Sequence, residues 1–180
     1  CRFDIRSKEA KRYTFPKNPG IGNNDIRSVV HYNNKLYLGT RNSVIVFDIK
    51  TEMAKPLIED FVSESSQIWN MMIDSKERLW FSTSFAIFCY DLKSAKLKRY
   101  TYNQEQLGYI GENYQNTFFE DKNKNIWLGS AGSGLFLYLP LSDSFQSFNT
   151  TNSEVIGNYI VNISQSKMGY LLIATNKGFS

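Results

Sequence analysis

Residues 68–83 read IWNMMIDSKERLWFST, and residues 115–130 read QNTFFEDKNKNIWLGS. In both segments an apolar run leads to an aspartate, and a tryptophan follows six positions after that aspartate. The tryptophan slot recurs along the chain, where it is occupied by Tyr37, Trp80, Trp127 and Leu172. The spacing defines a repeat of about 45 residues, and a repeat of that length is typical of stacked structural units.

Each repeat contains short apolar runs that are separated by polar turns. In the second repeat these runs are 68–73, 79–83, 87–92 and 97–102. The segment between the first two runs is rich in Asp, Ser and Lys, and its counterpart in the next repeat is rich in Asp and Asn, which favour hairpin turns. The apolar residues show no extended 3.6-residue period of the kind that a helical solenoid requires. Four short antiparallel strands per repeat predict the blades of a β-propeller.

Two further slots recur with the same spacing. An aromatic residue precedes an aspartate at Phe3, Phe47 and Tyr90, which predicts an equivalent strand end in three repeats. A small residue follows the second-strand aromatic, and this slot holds Gly39, Ser82, Gly129 and Ala174. We interpret the small residues as positions where neighbouring blades approach closely.

The sequence therefore predicts an all-β chain of about four blades, each with four antiparallel strands. The first strands are expected at 26–31, 68–73, 115–120 and 159–164. The predicted units are 1–25 (third and fourth strands of a partial blade), 26–67, 68–113, 114–158 and 159–180 (first and second strands of a partial blade). The two partial blades are complementary, so four blades could close internally. The alternative, which we favour, is a fragment of a larger propeller.

Composition narrows the functional class. The net charge is only +4, and basic residues are not clustered, which disfavours a nucleic-acid partner. One His and two Cys leave little material for a metal site, and we expect no cofactor and no metal. No apolar run approaches the roughly 18 residues of a transmembrane helix.

The sequence resembles a known repeat family over nearly its whole length. The segment 21–29 is followed by a turn and then by 36–40, which reads LYLGT. The pattern recurs as 113–118, an aspartate, and 126–130, which reads IWLGS, with a Gly-Leu pair shortly after it. These segments resemble the two-component regulator propeller repeat. Gly replaces the usual Pro of that repeat at Gly22, Gly111 and Gly157, and Tyr32 stands in place of the turn aspartate.

The resemblance implies a function as well as a fold. Such repeats form the periplasmic sensor region of hybrid two-component systems, found especially in gut Bacteroides and their relatives. These sensors respond to oligosaccharides from glycan breakdown, and their histidine kinase and membrane helix lie outside this segment. The resemblance thus implies a non-catalytic, carbohydrate-sensing segment in the periplasm. It also implies a possible homodimer through the parent sensor and membrane attachment only through other parts.

Two other classes of protein stay open. A propeller enzyme would need converging charged side chains. Arg27, however, is the only Arg in a predicted first strand. The acids in or beside these strands are few, namely Glu120 and Asp25. A protein–protein interaction propeller is the other alternative, because propeller rims bind proteins as readily as sugars.

Alignment of the repeats also indicates where a ligand would bind. One first-strand slot has no shared chemistry, and it holds Arg27, Trp69, Asn116 and Val161. A position that the repeat does not need for packing is available for recognition. Trp69 could stack on a sugar ring, while Arg27 and Asn116 could hydrogen-bond to hydroxyl or carboxylate groups. Tyr109 and Tyr114, in the loop before the third of these strands, are the next candidates.

Overall fold

The computed structural model describes residues 2–14, 25–41, 43–58, 67–84, 86–101 and 115–179. These residues form strands and no helix, which confirms the predicted all-β class. Consequently, the described ranges contain no helix long and apolar enough to cross a membrane.

Three four-stranded antiparallel sheets follow one another along the chain, and each has its strands in sequence order. The first blade contains β3 (Ser28–Tyr32), β4 (Lys35–Gly39), β5 (Val44–Asp48) and β6 (Ala54–Pro56). The second blade contains β7 (Asn70–Ile73), β8 (Arg78–Ser82), β9 (Ala86–Asp91) and β10 (Lys96–Thr101). The third blade contains β11 (Gln115–Glu120), β12 (Ile126–Ser130), β13 (Leu135–Leu139) and β14 (Ser144–Phe148).

Two smaller sheets flank these blades. The amino-terminal hairpin pairs β1 (Arg2–Phe3) with β2 (Ala10–Lys11). The carboxy-terminal sheet contains β15 (Ile160–Gln165), β16 (Leu171–Thr175) and β17 (Gly178–Phe179). The sequence predicted only first and second strands in 159–180, so β17 adds the start of a third. The predicted boundary at 113/114 lies outside the described residues, and the other blade boundaries stay predictions.

The tight turn between first and second strands is built around one aspartate in each of two blades. The Oδ1 atom of Asp74 accepts hydrogen bonds from the backbone N–H groups of Lys76 and Arg78, both at 2.9 Å. Its Oδ2 atom accepts from the indole Nε1 of Trp80 at 2.9 Å and from Nε of Arg78 at 2.6 Å. Since one buried carboxylate satisfies four donors, the six-residue spacing from Asp to Trp is a structural requirement of the turn.

The third blade repeats this turn. Asp121 accepts from the backbone N–H groups of Asn123 and Asn125 and from Nε1 of Trp127, the last at 2.9 Å. Burial raises the pKa of Asp121, but these donors outweigh it, so the pKa lies below the ordinary value. Lys124 closes the turn with φ of 68°, a left-handed conformation of the kind that the sequence predicted for a hairpin.

Neighbouring blades meet at the small-residue slot. A Cβ atom on Gly39 would lie 2.8 Å from Cγ2 of Ile68 in the next blade, and one on Gly129 would lie 2.5 Å from Cγ2 of Ile160. Both separations are too short for two carbon atoms. The predicted close approach of neighbouring blades is therefore present at both glycines.

The blades are also joined by polar contacts. Glu120 accepts from Oγ of Ser75 at 2.5 Å and from its backbone N–H at 2.8 Å, so an acid of the third blade binds the turn of the second. Gln165 repeats this contact by accepting from the backbone N–H of Lys122 at 2.9 Å. These bonds link the turn after β7 to the end of β11, and the turn after β11 to the end of β15.

Candidate functional site

The predicted recognition slot coincides with a β-bulge at the start of each first strand. In the first blade Ser28 pairs with Gly39, and the backbone N–H of Arg27 also donates to the Gly39 carbonyl oxygen at 2.9 Å. In the second blade Asn70 pairs with Ser82, to whose carbonyl oxygen the Trp69 N–H donates at 3.0 Å. Two residues thus oppose one residue of the second strand.

The other two first strands show the same irregularity within the ladder. The register shifts between Gln115 and Thr117, so Asn116 is the extra residue of β11. It shifts again between Ile160 and Asn162, so Val161 is the extra residue of β15. The slot without shared chemistry is therefore the bulge position in all four sheets.

This bulge also corrects two predicted strand starts. The sequence placed the first strands of the first and second blades at 26 and 68, whereas β3 begins at Ser28 and β7 at Asn70. The reason is that the residue before each strand donates its N–H to the carbonyl oxygen of the residue that already pairs with the first strand residue, so it lies outside the regular ladder. A bulge re-aims its side chain and is over-represented beside functional sites, which fits a recognition slot.

Arg27 forms an ion pair at this position. Its Nε atom lies 3.0 Å from Oδ1 of Asp25, and its Nη2 atom lies 3.2 Å from Oδ2 of the same residue. Both side chains are partly exposed, so an incoming hydroxyl group could bind the pair as donor and acceptor. Sequence reasoning named Asp25 only as a possible acid of an enzyme, and the structure makes it the partner of Arg27.

Trp69 lies at the equivalent position of the neighbouring blade. Its indole Nε1 donates to Oγ of Ser84 at 3.2 Å, which fixes the ring against the loop between β8 and β9. The side chain stays 37% exposed, whereas Trp80 is fully buried. Trp69 is therefore anchored and still accessible, as a stacking residue must be.

The carboxy-terminal sheet adds an aromatic residue that the sequence did not single out. Tyr159 directly precedes β15, is exposed, and forms an isolated bridge with Ala131. Its position just before the bulge residue Val161 places it at the same end of the first strands as Arg27 and Trp69. Tyr159 lies two positions before the variable slot, and this proximity is the sequence signal that could have identified it.

Three predicted candidates remain, namely Asn116, Tyr109 and Tyr114. Asn116 lies in β11, and its backbone position is that of the bulge. Tyr109 and Tyr114 lie outside the described residues. The structure thus places Arg27, Trp69, Asn116 and Val161 at equivalent positions of successive sheets.

Glu120 and His31 are titratable side chains of the first strands that a catalytic site could use. Glu120, the clearest candidate acid, is bonded to Ser75 of the neighbouring blade, as described above. His31, which occupies the same repeat slot in the first blade, is exposed. Within the described ranges, no group of three or more His, Cys, Asp and Glu side chains is positioned to hold a metal ion.

A groove of about 410 Å³ lies on the face of the first blade that meets the amino-terminal hairpin, and it reaches Ile26, next to the bulge residue Arg27. Its lining is mainly apolar and includes Tyr13, Val29, Leu36, Leu38, Phe47 and Ile49. A sugar site usually combines an aromatic surface with several polar groups, so this groove has the character of a packing surface.

Comparisons with known proteins place the fold. No family profile matches the sequence, and no curated protein matches it closely. Among solved structures, the chain is similar to the extracellular domain of the BT4673 hybrid two-component system of Bacteroides thetaiotaomicron, with a TM-score of 0.79 and 18% identity. That match covers 99% of this chain and 24% of that protein.

The chain is also similar to the extracellular domain of the BT3049 hybrid two-component system of the same organism. The TM-score is 0.72 and the identity 15%, over 98% of this chain and 23% of that protein. The chain thus spans about a quarter of the length of each of these two proteins. The predicted likeness to the propellers of hybrid two-component sensors is confirmed at the level of the fold.

A luciferin-regenerating enzyme shares the fold more distantly. Its TM-score is 0.58 and its identity 14%, over 93% of this chain and 60% of that enzyme. The same architecture therefore occurs in sensor domains and in an enzyme, and function must be argued from the residues of the site.

Proposed function

We propose that this chain is a non-catalytic ligand-sensing propeller segment of a two-component signalling receptor. The observation that carries the proposal is the likeness to two extracellular domains of hybrid two-component systems over nearly the whole chain. The segment acts outside the cytoplasm, in the periplasm, and its ligand is an oligosaccharide. Signal transfer is the task of other parts of the receptor.

The bulge residues support a sugar ligand. The indole of Trp69 is anchored and partly exposed, and a sugar ring can stack on such a surface. The ion pair of Arg27 with Asp25 offers charged donors and acceptors, which form stronger hydrogen bonds than neutral groups do. An accessible aromatic residue in one blade and a charged pair at the equivalent position of the neighbouring blade are suited to a carbohydrate.

Calorimetric titration of the extracytoplasmic region that carries this chain, against a panel of oligosaccharides, tests the proposal. We expect saturable binding of one glycan class without turnover. Trp69→Ala and Arg27→Ala should each weaken that binding by more than about 1 kcal/mol. Met168→Ala is the control, because Met168 is exposed in the turn between β15 and β16, away from the bulges. Release of products from any glycan, or unchanged affinity in both site variants, would contradict the proposal.

A protein-binding propeller is the second candidate, and the apolar groove of the first blade favours it. Binding to a protein through this groove would be insensitive to Trp69→Ala and sensitive to Val29→Asp. The two variants therefore separate a sugar-sensing surface from a protein-binding one.

A further inference from the structure

The contact between the second and third blades is fastened at its outer edge by three polar side chains. The Nζ atom of Lys98 lies 2.6 Å from Oδ2 of Asp143, and the hydroxyl of Tyr100 donates to Oδ1 of the same carboxylate at 2.7 Å. We call this arrangement of a lysine, a tyrosine and a turn carboxylate a clamp. Another clamp joins the amino-terminal hairpin to the first blade, and it consists of Lys11, Tyr13 and Glu52. Since hydrogen bonds of this kind require a definite geometry, a clamp fixes the relative position of two sheets.

The contact between the first and second blades has other residues at the clamp positions. By pairing register and turn position, the counterparts of Lys98, Tyr100 and Asp143 are Lys55, Leu57 and Ala95. The turn backbone is alike in the two blades, because φ is 56° at Ala95 and 50° at Asp143. Leu57 offers no hydroxyl group and Ala95 offers no carboxylate. A clamp therefore cannot form here, although the backbone that would carry it is in place.

The same contact also differs where the first strands end. Glu120 and Gln165, the last residues of β11 and β15, each accept a backbone hydrogen bond from the turn of the preceding blade, at 2.8 and 2.9 Å. The last residue of β7 is Ile73, which cannot accept a hydrogen bond through its side chain. With Tyr32, it packs against the apolar core between the first two blades. Because apolar contacts are not directional, this packing holds the two sheets together without fixing their relative position.

Two unsatisfied polar atoms lie where the first strands of these blades begin. Oγ of Ser43 and Nε2 of Gln67 are buried and have no hydrogen-bond partner within the described part of the chain. They belong to opposite sides of the contact. Ser43 precedes β5 of the first blade, and Gln67 precedes Ile68, whose N–H donates to the carbonyl oxygen of Thr40 at 3.0 Å. A buried polar atom without a partner costs free energy, so a small displacement that gave either atom a partner would recover some of it.

We propose that the contact between the first and second blades is a joint, at which the two sheets slide against each other, whereas the second and third blades move as one body. Sliding of packed elements is one of the ways in which proteins change shape. The task of the joint rests on the proposed function. Arg27 and Trp69 directly precede β3 and β7, and these strands contact each other across the joint. A ligand that binds both residues therefore spans the joint and restrains it.

Distances between spin labels measure this motion. Thr51, Ser94 and Ser142 occupy the same exposed position of the turn between third and fourth strands in successive blades. The measurement uses the extracytoplasmic region that carries this chain, with its native cysteines replaced by serine. Labels at Thr51→Cys and Ser94→Cys report on the joint, and labels at Ser94→Cys and Ser142→Cys are the matched control. We expect a distance distribution at least about twice as wide across the joint as in the control. Equal widths would overturn the inference.

Installing the missing clamp tests the inference in the opposite direction. Leu57→Tyr combined with Ala95→Asp supplies a hydroxyl and a carboxylate next to Lys55. The matched control combines Leu57→Phe with Ala95→Asn, which keeps the size of both side chains but has neither the hydroxyl nor the charge. We expect the clamp variant to narrow the distribution across the joint to the width seen between the second and third blades, and the control to keep the parental width. The same width in both variants would contradict the joint. Far-UV circular dichroism verifies that each variant keeps its strands.

Titration of the two variants with the oligosaccharide panel tests the link between the joint and the ligand. A ligand restrains the joint only if its affinity differs between the restrained and the free state, so the affinities of the two variants should differ by at least about fivefold. Equal affinities would overturn the link. The spin-label widths need no ligand and decide the joint by themselves, whereas a panel without any binding would count against the proposed function.

Discussion

The interface between the second and third blades and the open face of the first blade are built from the same repeat, yet they differ in burial. In the former, Trp80 is enclosed by Tyr138 at 4.9 Å, Phe145 at 6.5 Å and Tyr100 at 6.2 Å between ring centroids. In the latter, Val29 and Ile26 are exposed. The comparison teaches that a repeat position does not by itself fix burial, because the neighbouring sheet decides it.

The largest effect is expected from loss of the turn carboxylate that holds Trp80. Asp74→Ala removes an acceptor of four hydrogen bonds and leaves the charge of Arg78 without its buried partner. Breaking a buried pair costs about 3–5 kcal/mol of the free energy of unfolding. Urea denaturation checks this value. Asp25→Ala is the control, because its carboxylate is partly exposed and should cost less than about 1 kcal/mol. Equal losses in the two variants would show that the turn is not structural.

A smaller loss is expected at the small-residue slot. Gly129→Ala would place a Cβ atom 2.5 Å from Ile160, and overpacking of this kind costs about 1–3 kcal/mol. Ala174→Val at the same slot of the carboxy-terminal sheet should be nearly neutral in the monomer, since its facing position is uncovered. A thermal shift of equal size in both variants would contradict the assigned blade contact.

Asp143 of the third blade accepts hydrogen bonds from Lys98 and Tyr100 of the second blade, and this contact should make the free energy of unfolding depend on pH. Burial is the largest single influence and raises the pKa of Asp143, but the hydrogen bonds from Lys98, Tyr138 and Tyr100 together outweigh it and hold the pKa at about 2, below the ordinary 3.8. The unfolded chain therefore takes up the proton first as the pH falls. The stabilisation is complete above about pH 4 and is lost toward pH 2.

Chemical denaturation at a series of pH values measures this loss. The Asp143→Asn chain should have a lower free energy of unfolding at neutral pH and a flatter decline between pH 4 and 2. An unchanged slope in the variant would show that Asp143 does not carry the effect. Glu154→Gln is a suitable control, because Glu154 is an exposed acid in the loop before β15.

The bulge residues should have the smallest effect on folding. Trp69 and Arg27 lie at the strand starts with partly exposed side chains, so Trp69→Ala and Arg27→Ala should each change the free energy of unfolding by less than about 1 kcal/mol. The framework residue Trp80 offers the contrast, since truncation of a buried Trp costs about 3–5 kcal/mol. Urea denaturation of the three variants checks the order. A Trp69→Ala loss as large as that of Trp80→Ala would show that Trp69 is a packing residue.

The turns and the close approach of the blades were predictable because they depend on local chemistry. The spacing from Asp74 to Trp80 is fixed by one carboxylate that must reach both a backbone N–H and an indole. The glycine at Gly39 is required because no larger residue fits beside Ile68. Such constraints recur in sequence, and so a repeat reveals them.

Other features could not be predicted from the sequence. The bulge at Asn116 and Val161 is a change in pairing register, and residue types do not encode it directly. The hydrogen bonds that Ser75 donates to Glu120 join residues of different blades, so the local sequence around either residue does not predict them. The exposure of Val29 depends on the sheet that faces it, while its own slot is apolar in every repeat.

The most direct test of this account substitutes the same charge at the same repeat slot in two environments. Met71→Asp places a carboxylate in the closed interface between the first and second blades, whereas Val29→Asp places it on the open face. At a protein concentration where the chain is monomeric, urea denaturation should give a loss of at least about 3 kcal/mol for Met71→Asp. The loss for Val29→Asp should be below about 0.5 kcal/mol. Equal losses at the two positions would contradict the account, because the two faces would then be buried alike.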